Sequence, residues 1–219
     1  MTELLLSFLK ELEKNNTREW FHANKGWHDE SRMEMENLVN VLIPEIARFD
    51  PSVKFVNASD CMFRIFRDVR FSKDKSPYKN NFGAWITRKG RKSCGPGYYI
   101  HIQPGQSFLS GGVYMPDPDI LKKIRQEIYY NVAGFKKILG YTEIRKFING
   151  LDEMDKLKKA PKDFPADFPE IELLKNRHFT VSSTLSEKQI LDKSFPEYVL
   201  KVFRAMQPFN AFLGRAMEV

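Results

Sequence analysis

The sequence predicts an α+β fold in which an antiparallel β-meander of about four to five strands, in the central part of the chain, packs against N- and C-terminal helices. Apolar residues recur at helical spacing near both ends of the chain, whereas the middle of the chain alternates apolar and polar residues. Short polar turns separate the alternating runs, which favours antiparallel pairing of neighbours. No internal linker interrupts the pattern, so we expect residues 1–219 to form a single domain.

The composition is typical of a globular protein with a large core, because 42% of the residues are hydrophobic and 18 are phenylalanine. No window approaches the roughly 20 apolar residues of a membrane span. The N-terminus lacks the pattern of a secretory signal. Two cysteines are too few for a disulfide framework. We therefore expect a cytoplasmic protein without a membrane partner, and its oligomeric state stays open.

The first fifty residues predict two helices. Leu5, Phe8 and Leu9 follow the spacing of one apolar stripe. Thr17 is a suitable N-cap for the second helix, because its hydroxyl can accept from a free amide of the first turn. That helix is predicted over residues 18–48, with a break or kink at Pro44.

Alternation then predicts strands. The five runs are Phe63 to Phe71, Phe82 to Ile86, Tyr98 to Gln103, Phe108 to Met115 and Phe179 to Ser183. In the first run, parity places Arg67 on the apolar face with Phe63 and Ile65. Gly111 and Gly112 indicate a bulge or a close backbone approach in the fourth.

Capping signals predict the later helices. Asp117 followed by Pro118 is a strong helix start, and Ser186 with Gln189 forms a capping box. The other predicted elements are a short helix at 143–149, an extended connection at 156–169, and terminal helices interrupted near Pro196 and Pro208.

Positive charge is concentrated in one part of the chain. The whole protein carries +7, while the stretch from Arg64 to Lys92 holds ten basic and two acidic residues, a net +8. An arginine fork suits the geometry of an oxyanion. We therefore predict that part of this stretch binds a phosphate-bearing ligand. The predicted ligand-binding residues are Arg64, Arg67, Arg70, Lys75 and Lys79.

Arg67 carries a separate expectation, because a guanidinium on a buried face needs a buried partner. On that reading, Arg67→Ala costs about 3–5 kcal/mol of stability. A structural alternative for the same segment is that Asp68 pairs with Arg64 or Arg70 as cross-strand support.

Three functional classes stay open. In the first, the basic segment binds a phosphate-bearing ligand, of which nucleic acid is the largest kind. In the second, the protein is a small-molecule enzyme, with Asp68, Tyr99 and His101 as candidate acid–base groups on the polar face of the sheet. In the third, it is a non-catalytic interaction module with an exposed apolar patch.

Several common chemistries lack their motifs here. The chain has no phosphate-binding glycine loop and no Gly-x-Ser-x-Gly elbow. Its four histidines and two cysteines lack metal-ligand spacing, so we predict neither a metal site nor a cofactor. Cys61 has the setting of a small core residue.

Several runs in this order resemble a known family. They are Asn16 to Phe21, Phe63 to Gly83, Tyr98 to Ile102, Gly111 to Pro116 and Ala160 to Phe164, the last followed by Pro169 and Leu173 to Lys175. Together they resemble the bacterial domain of unknown function 2461 over nearly the whole chain. The resemblance implies one domain in a bacterial cytoplasm and carries no assigned activity. In that family a Gly commonly stands at the position of Asp163 and a His at that of Phe168, and these departures argue against an essential role for either residue.

Overall fold

The computed structural model describes residues 3–70 and 73–218, which contain ten α-helices and a four-stranded sheet. The helices are α1 (Glu3–Lys14), α2 (Arg18–Ala23), α3 (Lys25–Ala47), α4 (Ala58–Cys61), α5 (Pro118–Tyr130), α6 (Val132–Leu139), α7 (Thr142–Arg145), α8 (Ile171–Leu174), α9 (Glu187–Leu191) and α10 (Phe195–Glu218). The strands are β1 (Phe82–Ile86), β2 (Gly97–Ile102), β3 (Phe108–Val113) and β4 (Phe179–Thr184). The predicted α+β class is confirmed. Within the described residues, no helix has both the length and the apolar character needed to cross a membrane.

The sheet is antiparallel throughout, in the order β1-β2-β3-β4. The first three strands form the predicted meander, and β4 joins the free edge of β3 from much later in the chain. Opposite residues alternate between two faces, since Ala84 pairs with Ile100 and Ile100 with Leu109 on one face. On the other face Tyr99 pairs with Ser110, and Ser110 with Ser182.

The apolar face of the sheet packs on helices. Ala84, Ile100, Leu109 and Val181 are fully buried there, and α10 lies along β3. The core extends from this layer to the stripe of α1, whose predicted core positions are buried. The opposite face is half-buried and more polar, as an antiparallel sheet allows.

The prediction of one helix over residues 18–48 is wrong at its beginning. Thr17 caps α2 as predicted, accepting from the amide of Trp20 at 3.2 Å. The helix then ends at Asn24, whose side-chain amide donates to the Trp20 carbonyl at 2.9 Å. This side-chain bond to the backbone competes with continuation of the helix.

The predicted break at Pro44 and the predicted interruption near Pro208 are also wrong, since both prolines lie inside helices, α3 and α10. The alternative expectation of a kink at Pro44 stays a prediction. A proline removes one hydrogen bond to the carbonyl four residues earlier. Those carbonyls belong to Asn40 and Arg204, which are exposed residues. Burial of each helix on its other face outweighs the lost bond.

The strand predicted over residues 63–71 does not form, and Phe71 lies outside the described residues. Extended backbone makes only isolated bridges there, Met62 with Ala84 and Phe66 with Tyr78. Exposure still alternates along the run, since Ile65 is buried and Arg67 and Val69 are half-buried while the residues between them are exposed. Phe63, predicted on the apolar side, departs from this pattern at 37% exposed. The chain instead folds back on itself.

The helix starts near the C-terminal half are confirmed. Asp117 accepts from the Ile120 amide ahead of α5, and Ser186 with Gln189 forms both bonds of the capping box of α9. The short helix predicted over 143–149 is displaced, because α7 spans Thr142–Arg145.

Candidate functional site

We define the basic loop as residues 63–81, which leave and rejoin the edge of β1. The Phe63 amide donates to the Gly83 carbonyl at 3.0 Å, and the Arg67 amide donates to the Pro77 carbonyl at 3.0 Å. Asn16 binds both backbone groups of Tyr78, at 3.0 and 3.1 Å. The ends of the loop are therefore fixed by hydrogen bonds to the sheet and to the residues before α2.

The basic loop encloses an open depression of about 450 Å³, lined by Arg67, Asp68, Lys79, Asn80 and Asn81. Two cations, one carboxylate and two amides give it a polar, net positive lining. The Asn80 amide donates to Glu13 of α1 at 3.2 Å. The Asn81 side chain makes no hydrogen bond to a described residue, so its amide is available to a ligand.

Lys79 is a half-buried cation of the depression. Its Nζ donates to the Arg64 carbonyl at 3.0 Å and lies 5.6 Å from the centre of the Phe63 ring. Burial, with a smaller contribution from the nearby Arg64 guanidinium, lowers the pKa of Lys79. Among the described residues no carboxylate forms an ion pair with Lys79 or Arg64. Charge on this ammonium is therefore poorly compensated by the protein itself.

The expectation that Arg67 is buried in an apolar face is wrong, because no strand forms there. Its side chain is 29% exposed and forms an ion pair with Asp74, which is 54% exposed. The pKa of Asp74 is lowered to about 2 by the hydroxyl and amide of Ser76 and then by Arg67. Solvent screens a pair of this exposure, so the larger cost expected for Arg67→Ala no longer applies.

Asp68 pairs with Arg70, at 2.6 and 2.9 Å, within one stretch of chain and not across two strands. The Arg70 side chain and amide lower the pKa of Asp68 to about 2. Lys75 donates to the Val69 carbonyl at 2.9 Å. Of the five predicted ligand-binding residues, only Arg67 and Lys79 line the depression, while Arg64 is near enough to Lys79 to affect it electrostatically.

A hydrogen-bonded row crosses the polar face of β2. The Tyr99 hydroxyl lies 3.0 Å from His101 Nδ1, and His101 Nε2 lies 2.9 Å from Gln103 Oε1. Burial lowers the pKa of His101 and raises that of Tyr99 to about 12. A neutral imidazole satisfies both bonds when Tyr99 donates to Nδ1 and Nε2–H donates to Gln103.

The third candidate acid–base group lies elsewhere. Asp68 bonds Arg70 and lines the depression in the basic loop, which neither Tyr99 nor His101 lines. The Phe63 ring connects the two regions, since it lies 6.1 Å from the Tyr99 ring as well as beneath Lys79. The row is therefore a self-satisfied polar network beside the depression.

Residues 88–92 are partly structural. Arg91 Nη1 donates to the carbonyls of Ser59 and Asp60 at 3.1 and 2.9 Å, which are free acceptors at the end of α4. Cys61 is buried at the end of that helix, and burial raises the pKa of its thiol to about 12. Within residues 3–70 and 73–218, no three or more His, Cys, Asp or Glu side chains are grouped to hold a metal ion.

Sequence reasoning missed Asn80 and Asn81, because single amides carry no distinctive pattern. The only available signal was their position immediately after Lys79 at the end of the basic run.

The fold defines the class of protein: an α+β protein whose four-stranded antiparallel sheet carries helices on its apolar face. The chain belongs to the family described as conserved hypothetical protein DUF2461, which matches residues 4–212. No curated protein matches the chain. No solved structure matches it either.

Proposed function

We propose that the protein binds a phosphate-bearing ligand in the depression of the basic loop, through Arg67, Lys79, Asn80 and Asn81, with Arg64 at its side. The observation that carries the proposal is the half-buried Lys79 ammonium, which has a carbonyl and an aromatic ring as neighbours but no described carboxylate. A ligand oxyanion supplies the missing negative charge. We assign this binding to the bacterial cytoplasm, which the two free cysteines support.

The arrangement of donors favours a phosphate group over a carboxylate. Donors surround the depression from several directions, an ammonium, a guanidinium and amides, which suits an anion with three or more acceptor oxygens. Its volume of about 450 Å³ lies within the ~300–1,000 Å³ usual for small-molecule sites. The carboxylate of Asp68 also lines the depression and would repel an anion, but its charge is compensated by the ion pair with Arg70.

The experiment compares Lys79→Gln with Lys92→Gln, an exposed lysine of the β1–β2 connection that serves as the matched control. Calorimetry with adenosine monophosphate and with pyrophosphate measures affinity. We expect Lys79→Gln to weaken binding roughly ten- to hundredfold, the loss of one charge-assisted hydrogen bond. Arg64→Ala is expected to weaken binding with little change in melting temperature.

Equal weakening by the two lysine variants, or no binding of either phosphate compound and of nucleic acid, contradicts the proposal. Nucleic acid is tested in parallel by fluorescence anisotropy with labelled single-stranded and duplex oligonucleotides across a salt series. A steep salt slope that Arg64→Ala reduces by about one released counterion identifies nucleic acid as the ligand. Binding of the small phosphates alone identifies a small phosphorylated molecule.

A further inference from the structure

A second pocket lies between the start of α5 and the residues that precede β4. Its volume is about 280 Å³, and it shares no lining residue with the depression of the basic loop. The lining residues are Met115, Pro116, Leu121, Arg125, Asp155, Leu157, Arg177 and His178. Four of these side chains are apolar, and the other four are two arginines, one histidine and one aspartate.

Arg125 is the buried charge of this pocket, with only 9% of the residue exposed. One guanidinium nitrogen, Nη2, donates to the Asn176 carbonyl at 3.0 Å. Its Nε–H is buried and finds no acceptor among the described residues. The Asn176 side chain does not supply one, because its own Oδ1 is buried without a hydrogen bond. A buried guanidinium held by one neutral carbonyl is costly unless an anion joins it.

The other charged side chains of the pocket do not neutralise Arg125. The one carboxylate of the lining, Asp155, is engaged by Arg177 at 3.3 Å. His178 Nδ1 accepts from the Met115 amide at 3.0 Å, so a neutral His178 carries its proton on Nε2 and can donate from there. Desolvation, and then the charge of Arg177, lowers the pKa of Arg125. The net charge of the lining is +1 with His178 neutral, which matches a monoanion.

The rest of the lining is apolar and its backbone is strained. Met115 is 68% exposed, and with Leu121 and Leu157 it forms an apolar surface in the same pocket as the guanidinium. Met115 and Asp155 both adopt φ of 48°, and they are the only non-glycine residues at positive φ in the described chain. Strained residues of this kind often cluster at ligand clamps.

We propose that this pocket binds a small organic carboxylate with an apolar body. The carboxylate pairs with the terminal Nη1 of Arg125, because Nη2 donates to the Asn176 carbonyl and Nε has almost no accessible surface. The hydrocarbon lies against Met115, Leu121 and Leu157. The ligand differs from the phosphate compound proposed for the basic loop in charge and in polarity.

The test uses hexanoate as the probe and hexanamide as its uncharged counterpart, on ¹⁵N-labelled full-length protein. We expect hexanoate to shift the Arg125 Nε–H and Met115 amide signals saturably, whereas hexanamide leaves both in place. Arg125→Lys keeps the charge and loses the guanidinium, and we expect it to weaken hexanoate binding about tenfold or more. Arg145→Lys, at an exposed arginine that donates to the Asn149 carbonyl, is the matched control and should change nothing.

Three results overturn the proposal: equal shifts with hexanamide, no shift with hexanoate, or unchanged affinity in Arg125→Lys. Methyl phosphate that binds there as tightly as hexanoate overturns the assignment to an apolar carboxylate. If Arg125→Lys fails to fold, the comparison of hexanoate with hexanamide on the unaltered protein decides. Either outcome leaves the Lys79 experiment unaffected, because the two pockets share no residue.

Discussion

At the scale of single residues, strand pairing determines which face of the sheet a side chain occupies. Tyr99 and His101 were predicted on one face of a strand and are hydrogen bonded there. Arg67 was predicted to be buried, yet it lies at a partly exposed ion pair with Asp74. Parity placed Arg67 on the less exposed side of the basic loop, but without a strand ladder that side is only half-buried and the guanidinium pairs with a partly exposed carboxylate.

The Tyr99–His101 bond gives a prediction at this scale. Tyr99→Phe removes the only described donor to His101 Nδ1 and leaves a half-buried ring nitrogen unpaired. We expect the free energy of unfolding to fall by about 1–3 kcal/mol, measured by urea denaturation. Tyr130→Phe removes a hydroxyl from a side chain that is 77% exposed and should change it little. Equal effects of the two variants would show that the bond contributes nothing to stability.

At the scale of elements, the strands of the sheet and the helix caps were predictable, and the conformation of the basic loop was not. The four strands of the sheet alternate against a helical layer, so their periodicity reflects burial on one side. The run from Phe63 also alternates, but it continues the sheet only through an isolated bridge. Local pattern cannot distinguish such extended chain from a strand, because the difference lies in long-range partners. The interiors of α3 and α10 show the same limit of local pattern. Both helices continue through a proline because burial of the helix outweighs the lost hydrogen bond.

Gly112 gives the prediction at the scale of an element. It has φ of +123°, and a Cβ built there would lie 2.0 Å from the Phe179 carbonyl oxygen of β4. The close approach expected from Gly111 and Gly112 is thus confirmed at the β3–β4 pairing. We expect Gly112→Ala to lower stability by more than about 2 kcal/mol, because backbone strain and a clash with a neighbouring strand act together.

The matched control is Gly134→Ala in α6, where a Cβ meets nothing within 4 Å. Alanine is the better helix former, so this variant should be neutral or more stable by up to about 1 kcal/mol. Thermal and urea unfolding of both variants provide the measurement. A Gly112→Ala protein as stable as the parent would contradict the β3–β4 register.

At the scale of the whole molecule, the single-domain organisation over residues 1–219 stays a prediction. Its support is one hydrophobic cluster that contains core residues of α1, the sheet and α10, among them Phe8, Ile100 and Phe203. We expect one cooperative unfolding transition, because elements that share a core lose their packing together. Tryptophan fluorescence reports only the N-terminal half, where Trp20, Trp27 and Trp85 lie, whereas far-ultraviolet circular dichroism reports all helices. The two midpoints should coincide, and separated midpoints would indicate two domains.

The late arrival of β4 has a consequence for synthesis on the ribosome. The strands of the meander leave the exit tunnel in succession, but residues 114–178 must follow before β4 can pair with β3. Until then the outer backbone groups of β3 have no partner, and an unpaired strand edge is a template for another chain. The nascent protein therefore passes through a stage in which nascent chains on neighbouring ribosomes of one messenger RNA can compete with β4 for pairing with β3.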